Sequence, residues 1–277
     1  YPEKKGLYEI FKKIELNPDW VYKLNNHALD LNIDFLSSAF DAQSVDVLEE
    51  INVKAYKIAS SEISNQKLLF KMALTKKPLI ISTGMSNLVD VHEAILLCEE
   101  LENFKLAILQ CSALYPLQLN QTHLLVIKEL LKQFKYPVGF SDHTLCSIAS
   151  KVAVGLGASI FEKHFTINKT DDGPDHFYAL EPKELKDYVH GIKESYKCLG
   201  NSKKGLLFEE AKVGRRMGIY AISDIEIGQE ITQQNIEIKS PALGVQERYK
   251  DSIIGSISKN KIVKGDPIKF QNLQSEK

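Results

Sequence analysis

The 277-residue sequence lacks the features that are typical of disulfide-rich, membrane-spanning and nucleic-acid-binding proteins. Its four cysteines show no CxxC or zinc-finger spacing, which predicts reduced thiols in a cytoplasmic protein and excludes a disulfide scaffold. No apolar run approaches the roughly 20 residues of a membrane span, and the N-terminus lacks the pattern of a signal sequence. The net charge of −1 gives no reason to expect binding to nucleic acid or to an anionic membrane.

Short apolar segments alternate with longer amphipathic segments up to about Gly200. This order predicts an α/β domain in which helices alternate with the strands of a parallel sheet. Six strands in line favour a TIM-type (β/α)8 barrel, and no GxGxxG motif follows any of them, which argues against a dinucleotide site. The predicted strands are 33–40, 55–60, 78–83, 106–112, 138–143 and 159–165. The predicted helices are 44–51, 65–74, 88–101, 119–134, 146–156 and 182–198.

The composition changes after Gly200. Residues 201–216 are charged and predict a linker between a barrel domain at 1–200 and a small β-rich domain at 217–277. The sequences IEIGQEITQQNI (225–236) and IVKGDPIKFQNL (262–273) share Ile, Gly, Ile and Asn at equivalent positions, 37 residues apart. This repeat predicts two hairpin-like units related by pseudo-symmetry.

Polar residues gather at the ends of the last two predicted barrel strands. Residues two apart in a strand share a face, so Ser141 lies beside His143 and Glu162 lies beside His164. The segment between the strands is about one helix long, so the strands form one βαβ unit and are neighbours. Active sites of parallel α/β proteins lie at this edge, and two histidines there predict a divalent metal site with open positions. Histidines that only satisfy buried hydrogen bonds are the alternative.

Hydroxyl groups and a lysine are predicted at the same edge. Together with exposed backbone amides they suit a phosphate or a carboxylate, although serine, threonine and glycine also form ordinary turns. The residues are Ser37, Ser38, Lys57, Ser60, Ser61, Glu62, Ser82, Thr83, Gly84, Ser112 and Tyr115. The turn-rich segment 166–182 adds Asp175 and His176 as candidates to face a substrate, with a solvated turn as the alternative.

Five motifs in this order, KIASSE, ISTGMS, SDHT, FEKHFT and GPDH, resemble the sialic acid synthase family. The resemblance covers nearly the whole chain, and the C-terminal repeat is similar to that family's antifreeze-like (SAF) domain. It implies a transferase that condenses phosphoenolpyruvate with the open-chain aldehyde of an N-acetylated amino sugar, releasing phosphate and yielding a nonulosonic acid. It also implies a divalent metal, Mn²⁺ or Mg²⁺, and a domain-swapped homodimer.

The resemblance assigns roles to residues of this chain. His143 and His164 match the family's metal ligands, and Glu162 matches an acid at its reaction centre. Glu62, in the phosphoenolpyruvate-binding set, is the second candidate to stabilise a cation or activate water. Substrate binding is assigned to Ser38, Lys57, Ser60, Ser82, Ser112, Tyr115, Ser141, Asp175 and Lys239.

Three features depart from the family pattern. The family barrel begins with two further βα units, so the resemblance implies a TIM-type barrel that lacks its first two units in this chain. The family often has asparagine where this chain has Ala113, which removes an amide hydrogen bond. Its SAF domain usually carries Arg-Pro-Gly, whereas KSPALG here places Ser240 beside Lys239, so the contact to the acceptor sugar is altered.

Three other functions stay open on the residues alone. A metallohydrolase barrel also uses strand-end histidines, but it usually needs further ligands such as an HxH pair. A Schiff-base aldolase would use Lys57 or Lys163 without a metal. A non-catalytic protein would keep the barrel as a scaffold and use the SAF-like domain to bind carbohydrate or ice.

Overall fold

The computed structural model describes residues 9, 12, 15–214 and 216–274. The chain divides after Gly200 into two compact units, each with its own hydrophobic core. The predicted domain ends at residues 1 and 277, and Arg215 in the predicted linker, lie outside the described residues. No helix in the described ranges is long and apolar enough to cross a membrane.

The first unit is built on a curved sheet of five parallel strands in sequential order, an α/β arrangement that forms part of a barrel. The first four strands are almost entirely buried, which explains why their sequences are apolar on both faces. The strands are β1 (Tyr56–Ile58), β2 (Leu79–Ser82), β3 (Leu106–Gln110), β4 (Val138–Asp142) and β5 (Ile160–Lys163).

Helices alternate with these strands, as the sequence predicts. Asn17, Asp41, Asn65 and Asn87 each accept a hydrogen bond from a backbone N–H in the first turn of the following helix. Such caps satisfy donors that no helical hydrogen bond reaches, and they fix where each helix begins. The helices are α1 (Pro18–Asp30), α2 (Ala42–Glu50), α3 (Gln66–Leu74), α4 (Leu88–Glu100), α5 (Val126–Gln133), α6 (Ile148–Leu156) and α7 (Pro182–Leu199).

The predicted strand at residues 33–40 is wrong. Only Ser38 pairs there, through an isolated parallel bridge to Lys57, so the sheet has five strands instead of six. Ile33 and Phe40 are exposed, so both ends of this apolar segment lack the packing against neighbours that favours a strand.

The predicted helix at 119–134 is also wrong in its first half. Leu119–Gln121 form a single 3-10 turn, and α5 begins only at Val126. Between them His123 has a φ of +44°, and such left-handed backbone cannot continue a right-handed helix. Helix α1 was not predicted, although Asn17 caps it and Pro18 occupies its first turn.

The second unit is a small β-rich fold with short helices. The predicted linker at 201–216 is not extended throughout, because α8 (Phe208–Val213) lies within it. The remaining elements are β6 (Gly218–Ala221), β7 (Ile236–Lys239), α9 (Lys250–Ile253), β8 (Ile257–Ser258) and β9 (Leu273–Gln274). β6 pairs antiparallel with β7, and β8 pairs antiparallel with β9.

The predicted pseudo-symmetry of the repeat is confirmed by its hydrogen bonds. Ile225 and Ile262 exchange reciprocal backbone hydrogen bonds of 2.8 and 2.9 Å. Equivalent bonds recur at the 37-residue offset: Gly228 N–H donates to Ser258 O and Gly265 N–H donates to Ala221 O, both at 2.8 Å. Both glycines have left-handed backbone, with φ of +81° and +89°, which glycine adopts without a steric penalty.

Candidate active site

The two predicted histidines meet at the carboxyl ends of β4 and β5. Ser141 is opposite Glu162 in the register of these strands, and His143 and His164 follow two residues later on the same face. The centroids of the two imidazole rings are 5.4 Å apart, and the ring planes are inclined at 69°. The arrangement predicted from the βαβ unit is therefore present.

The rings are held through their Nδ1 atoms. His143 Nδ1 is 2.8 Å from the carbonyl oxygen of Ser112, and because a carbonyl only accepts, that nitrogen carries the proton. Tyr178 donates to Asp175 at 2.6 Å, so its hydroxyl oxygen accepts from His164 Nδ1 at 3.3 Å. Both Nε2 atoms are left as the unprotonated, ligand-binding side, an arrangement typical of metal-ligating histidines.

Burial keeps both imidazoles neutral. Loss of solvation lowers the pKa of His143 and of His164 below the ordinary value near 6.5. For His143 the neighbouring His164 lowers the pKa further, while the Ser112 carbonyl opposes the shift. For His164 the carboxylates of Asp175 and Glu162 oppose it. Neutral imidazole is the form that binds a metal ion.

These pKa shifts predict a loss of stability in acid. In the metal-free protein we expect the melting temperature to fall from about pH 7.5 to about pH 5.5, and to fall less in His143→Gln. Below about pH 6.5 the unfolded state binds more protons than the folded state, so the stability present above that pH is lost as pH falls through the lowered pKa values. Thermal denaturation with a chelator present measures this, and His190→Gln, at an exposed position, should keep the wild-type slope. Equal slopes in all three proteins would contradict the prediction.

A buried lysine lies next to this histidine pair. Lys57 is 9% exposed, and its Nζ donates to Ser82 Oγ at 2.8 Å and to the carbonyl of Ile58 at 3.0 Å. The same Nζ is 3.5 Å from Glu162 Oε2, and Glu162 Oε1 accepts from Ser141 Oγ at 2.6 Å. Ser141 Oγ is 3.4 Å from His143 Nε2. A chain of close polar contacts thus runs from the lysine through Glu162 and Ser141 to His143.

The loop after β2 packs closely against the turn after β1. Ser60 Oγ accepts from Gly84 N–H at 3.0 Å and contacts Cys111 Sγ at 3.6 Å. A Cβ atom at Gly84 would lie 2.8 Å from Ser60 Oγ, so glycine is required for this approach. Burial raises the pKa of Cys111, which therefore remains a thiol. Ser60 is thus fixed at the same edge of the sheet as Lys57.

Tyr115 covers the histidines. It is followed by a cis peptide bond to Pro116, and its ring centroid lies 4.3 Å from that of His143 and 5.7 Å from that of His164. The side chain is 45% exposed, so one side of the ring packs on the site and the rest faces solvent.

Some predicted residues contribute differently from expectation. Ser112 holds His143 through its carbonyl, whereas its hydroxyl donates to the carbonyl of Gln121 at 3.2 Å. Glu62 accepts from Asn65 at 2.8 Å, beside the turn that contains Ser60. Ser38 reaches Lys57 through its backbone. Lys239 belongs to the second unit, where its Nζ is 3.0 Å from Glu237.

Tyr178 was not predicted, although it links Asp175 to His164. The signal in the sequence is weak, because Tyr178 lies three residues after Asp175 in a segment whose composition predicts a turn. His176, predicted to face a substrate, instead has its Nδ1 2.7 Å from Thr166 Oγ1, which fixes the loop.

The two histidines could supply two ligands to a metal ion. Among the described residues, no group of three or more His, Cys, Asp or Glu side chains could hold a metal ion. The two Nε2 atoms therefore offer two ligands and leave the remaining positions open, as in metal sites that also bind substrate or water. Such a set would differ from the closed ligand set of a structural metal, and the open metal site stays a prediction.

A curved parallel sheet with reactive side chains at the ends of several strands defines the class of barrel enzymes. Residues 2–204 match the model of the NeuB family, and residues 216–274 match that of the SAF domain. The chain belongs to the NeuB family and carries a SAF domain, which confirms the resemblance seen in the motifs.

Similar proteins agree with this assignment. The chain is 34% identical to the N,N'-diacetyllegionaminic acid synthase of Legionella pneumophila, with 99% of this chain and 79% of that protein covered. It is 32% identical to the pseudaminic acid synthase of Helicobacter pylori, with 98% and 81% covered. The solved structure of the N-acetylneuraminic acid (sialic acid) synthetase of Leptospira borgpetersenii is 29% identical, with a TM-score of 0.72 over 77% of this chain and 74% of that one.

Proposed function

We propose that this chain is a nonulosonic acid synthase that condenses phosphoenolpyruvate with an N-acetylated amino sugar, such as N-acetylmannosamine or a diacetamido-dideoxyhexose. The observation that carries the proposal is a buried lysine, Lys57, on one polar chain with Glu162, Ser141 and His143. An anion site beside a metal site is what this reaction requires. The relatives named as legionaminic and pseudaminic acid synthases support the same reaction class.

Lys57 is the proposed anchor for phosphoenolpyruvate. Its charge is buried, and a low local dielectric strengthens its attraction for a phosphate or carboxylate. The hydroxyls of Ser38, Ser60, Ser82 and Ser141 are the further donors of the proposal, and Ser82 Oγ already contacts Lys57 Nζ. Fixing the anion in this way holds the enol carbon in one position for attack, which lowers the entropic part of the barrier.

His143 and His164 are the proposed ligands of one divalent ion, Mn²⁺ or Mg²⁺, through their Nε2 atoms. When bound, such an ion polarises the aldehyde oxygen of the sugar as a Lewis acid. The Ser112 carbonyl and the Asp175–Tyr178 pair fix the tautomers that keep both Nε2 atoms available. Tyr115 and Asp175, which are both exposed beside the rings, are the proposed contacts to the sugar.

The proposed reaction forms one carbon–carbon bond and one carbon–oxygen bond to water, and it breaks the carbon–oxygen bond to the phosphate. The enol carbon of phosphoenolpyruvate attacks the aldehyde carbon, and positive charge develops at the carbon that bears the phosphate. Water adds to that carbon and loses a proton, and the carbon–oxygen bond then breaks to release inorganic phosphate. Glu162 is the proposed group to stabilise the cation or accept the proton, and its contacts support this role, because Ser141 orients one oxygen and Lys57 lies near the other. Glu62 is the second candidate for this role.

Oxygen labelling tests the proposed reaction directly. The chain would be incubated with Mn²⁺, a candidate sugar and phosphoenolpyruvate that carries ¹⁸O in the bridging position. The released phosphate would then be analysed by mass spectrometry. Carbon–oxygen cleavage transfers the label to phosphate, and release should require both substrates. Phosphate without label, or release that is independent of the sugar, would refute the proposal. Chelator-insensitive condensation of the sugar with pyruvate in place of phosphoenolpyruvate would favour a Schiff-base aldolase instead.

We also propose a homodimer in which Lys239 and Ser240 of one chain complete the site of the other. Lys239 is exposed, and a two-fold dimer is the commonest assembly of a single chain type. The expected mass by light scattering is about 63 kDa, twice the 31.3 kDa of one chain. Mixing His164→Ala chains with chains that lack residues 217–277 should restore activity, since each supplies what the other lacks. A monomeric mass and an inactive mixture would contradict the swap.

A cytoplasmic location is part of the proposal. Cys98, Cys111, Cys146 and Cys198 are all free. Reducing compartments keep thiols in this state, so the free cysteines support the location.

A further inference from the structure

A buried ion pair lies on the opposite face of the strands that carry the histidines. Because side chains alternate along a strand, Asp142 and Lys163 point away from Ser141, His143, Glu162 and His164. Asp142 is paired with Lys163 in the strand register, and Lys163 Nζ is 3.3 Å from Asp142 Oδ1. Their side chains are 0% and 4% exposed.

Every oxygen of the Asp142 carboxylate is occupied. Besides Lys163, Oδ1 accepts from the backbone N–H and the hydroxyl of Thr144, both at 2.8 Å. Oδ2 accepts from Ser150 Oγ at 2.7 Å and from the Tyr188 hydroxyl at 3.2 Å. The carboxylate therefore ties β4 and β5 to α6 and α7, and it has no position left for a substrate or a metal ion.

The ion pair holds the backbone on both sides of His143. Asp142 precedes this histidine, Thr144 follows it, and the backbone N–H of Thr144 is bonded to Asp142. Lys163, which immediately precedes His164, also donates to the carbonyl of Thr144. Side chains next to the two histidines thus fix the peptide segments that set the distance between the imidazoles.

Burial of an ion pair is not in itself a source of stability. Removing two charges from water costs free energy that their attraction barely recovers, and apolar pairs of similar volume often serve as well. A pair in this position is better explained by the geometry it enforces, because metal binding depends on ligand positions within fractions of an ångström.

We propose that Asp142 and Lys163 are positioning residues, which set the separation of His143 and His164 for one divalent ion without touching the ion or the substrates. The inference rests on the proposed function, since it needs the histidines to bind a metal. It also gives Lys163 a role other than that of a Schiff-base lysine, because its Nζ is bonded on the face away from the histidines.

Direct Mn²⁺ binding, measured on the full chain by the electron paramagnetic resonance signal of free Mn²⁺, tests the inference. Lys163→Met removes the charge but keeps the apolar stem, and we expect it to weaken Mn²⁺ binding by about 10- to 100-fold. Lys77→Met is the matched control, because it breaks the 2.6 Å pair of Lys77 with Glu49 and should leave Mn²⁺ affinity unchanged. The Michaelis constant for phosphoenolpyruvate should change little in either variant.

The outcomes separate this inference from the proposed function. If Lys163→Met binds Mn²⁺ as tightly as the wild type, or if Lys77→Met loses the same affinity, the positioning role is refuted and the metal site stands. If the wild type binds no Mn²⁺, the metal proposal and the inference fail together. If Lys163→Met does not fold, Tyr188→Phe replaces it as the test, because it removes one hydrogen-bond donor to Asp142. A loss of Mn²⁺ affinity beyond about twofold in that variant supports the positioning role, and a smaller change refutes it.

Discussion

His164→Ala is expected to abolish metal-dependent turnover while the fold survives. Of the two proposed metal ligands, only His143 remains in this variant. Lewis-acid catalysis contributes several kcal/mol, and each 1.36 kcal/mol is a factor of ten, so the rate should fall by about 1,000-fold or more. Turnover at saturating Mn²⁺ and substrates, together with Mn²⁺ binding, measures the effect.

The fold should tolerate this change because His164 lies at a strand end and is only partly buried. Its melting temperature, measured without metal, should stay close to that of the wild type. His190→Ala, at an exposed position on α7, is the matched control and should retain full activity. A fully active His164→Ala variant would remove the basis for assigning the metal to this pair.

Lys57→Met should raise the Michaelis constant for phosphoenolpyruvate by about 10- to 100-fold. A hydrogen bond from a charged group is worth roughly 1.5–3 kcal/mol, and the buried position of Lys57 leaves little water to replace it. The Michaelis constant for the sugar should change much less, because the proposed sugar contacts, Tyr115 and Asp175, lie on the side of the histidines. Steady-state kinetics with each substrate varied in turn measures both constants.

Lys54→Met is the control for this experiment. Lys54 stands three residues earlier and pairs with Asp34 at the surface, so both Michaelis constants should be unchanged. If Lys57→Met binds phosphoenolpyruvate normally, the lysine only balances Glu162, and the anion site must be sought elsewhere.

The central strands could be predicted because burial on both faces leaves a strong signal. β2, β3 and β4 agree with the predicted segments to within two residues at each end. The histidine pair could be predicted for a similar reason, since alternation within a strand and one βαβ connection determine its geometry. Residues 33–40 carry the same kind of pattern, yet they form one bridge, because pattern alone does not reveal how much surface the neighbours cover.

The parts of the site that could not be predicted depend on contacts between distant segments. The Ser112 carbonyl orients His143 across 31 positions, and a backbone acceptor leaves no trace in the choice of side chain. Tyr188 contacts Asp142 from 46 residues away, and in the sequence it is one aromatic residue within an amphipathic helix, which indicates only ordinary helix packing. Local pattern therefore locates the two histidines but not the groups that orient them.

The repeat in the second unit has a consequence for how that unit folds. Ile231 N–H donates to Ser256 O, and Ile268 N–H donates to Ile219 O. Each copy of the repeat therefore forms hydrogen bonds with residues that lie outside it. A single copy on its own would have to associate with another molecule to make these bonds, at a rate set by concentration. On one chain the partner is always within reach, at an effective concentration on the order of millimolar. Assembly of the two halves is then a first-order step, and its rate does not depend on how much protein is present.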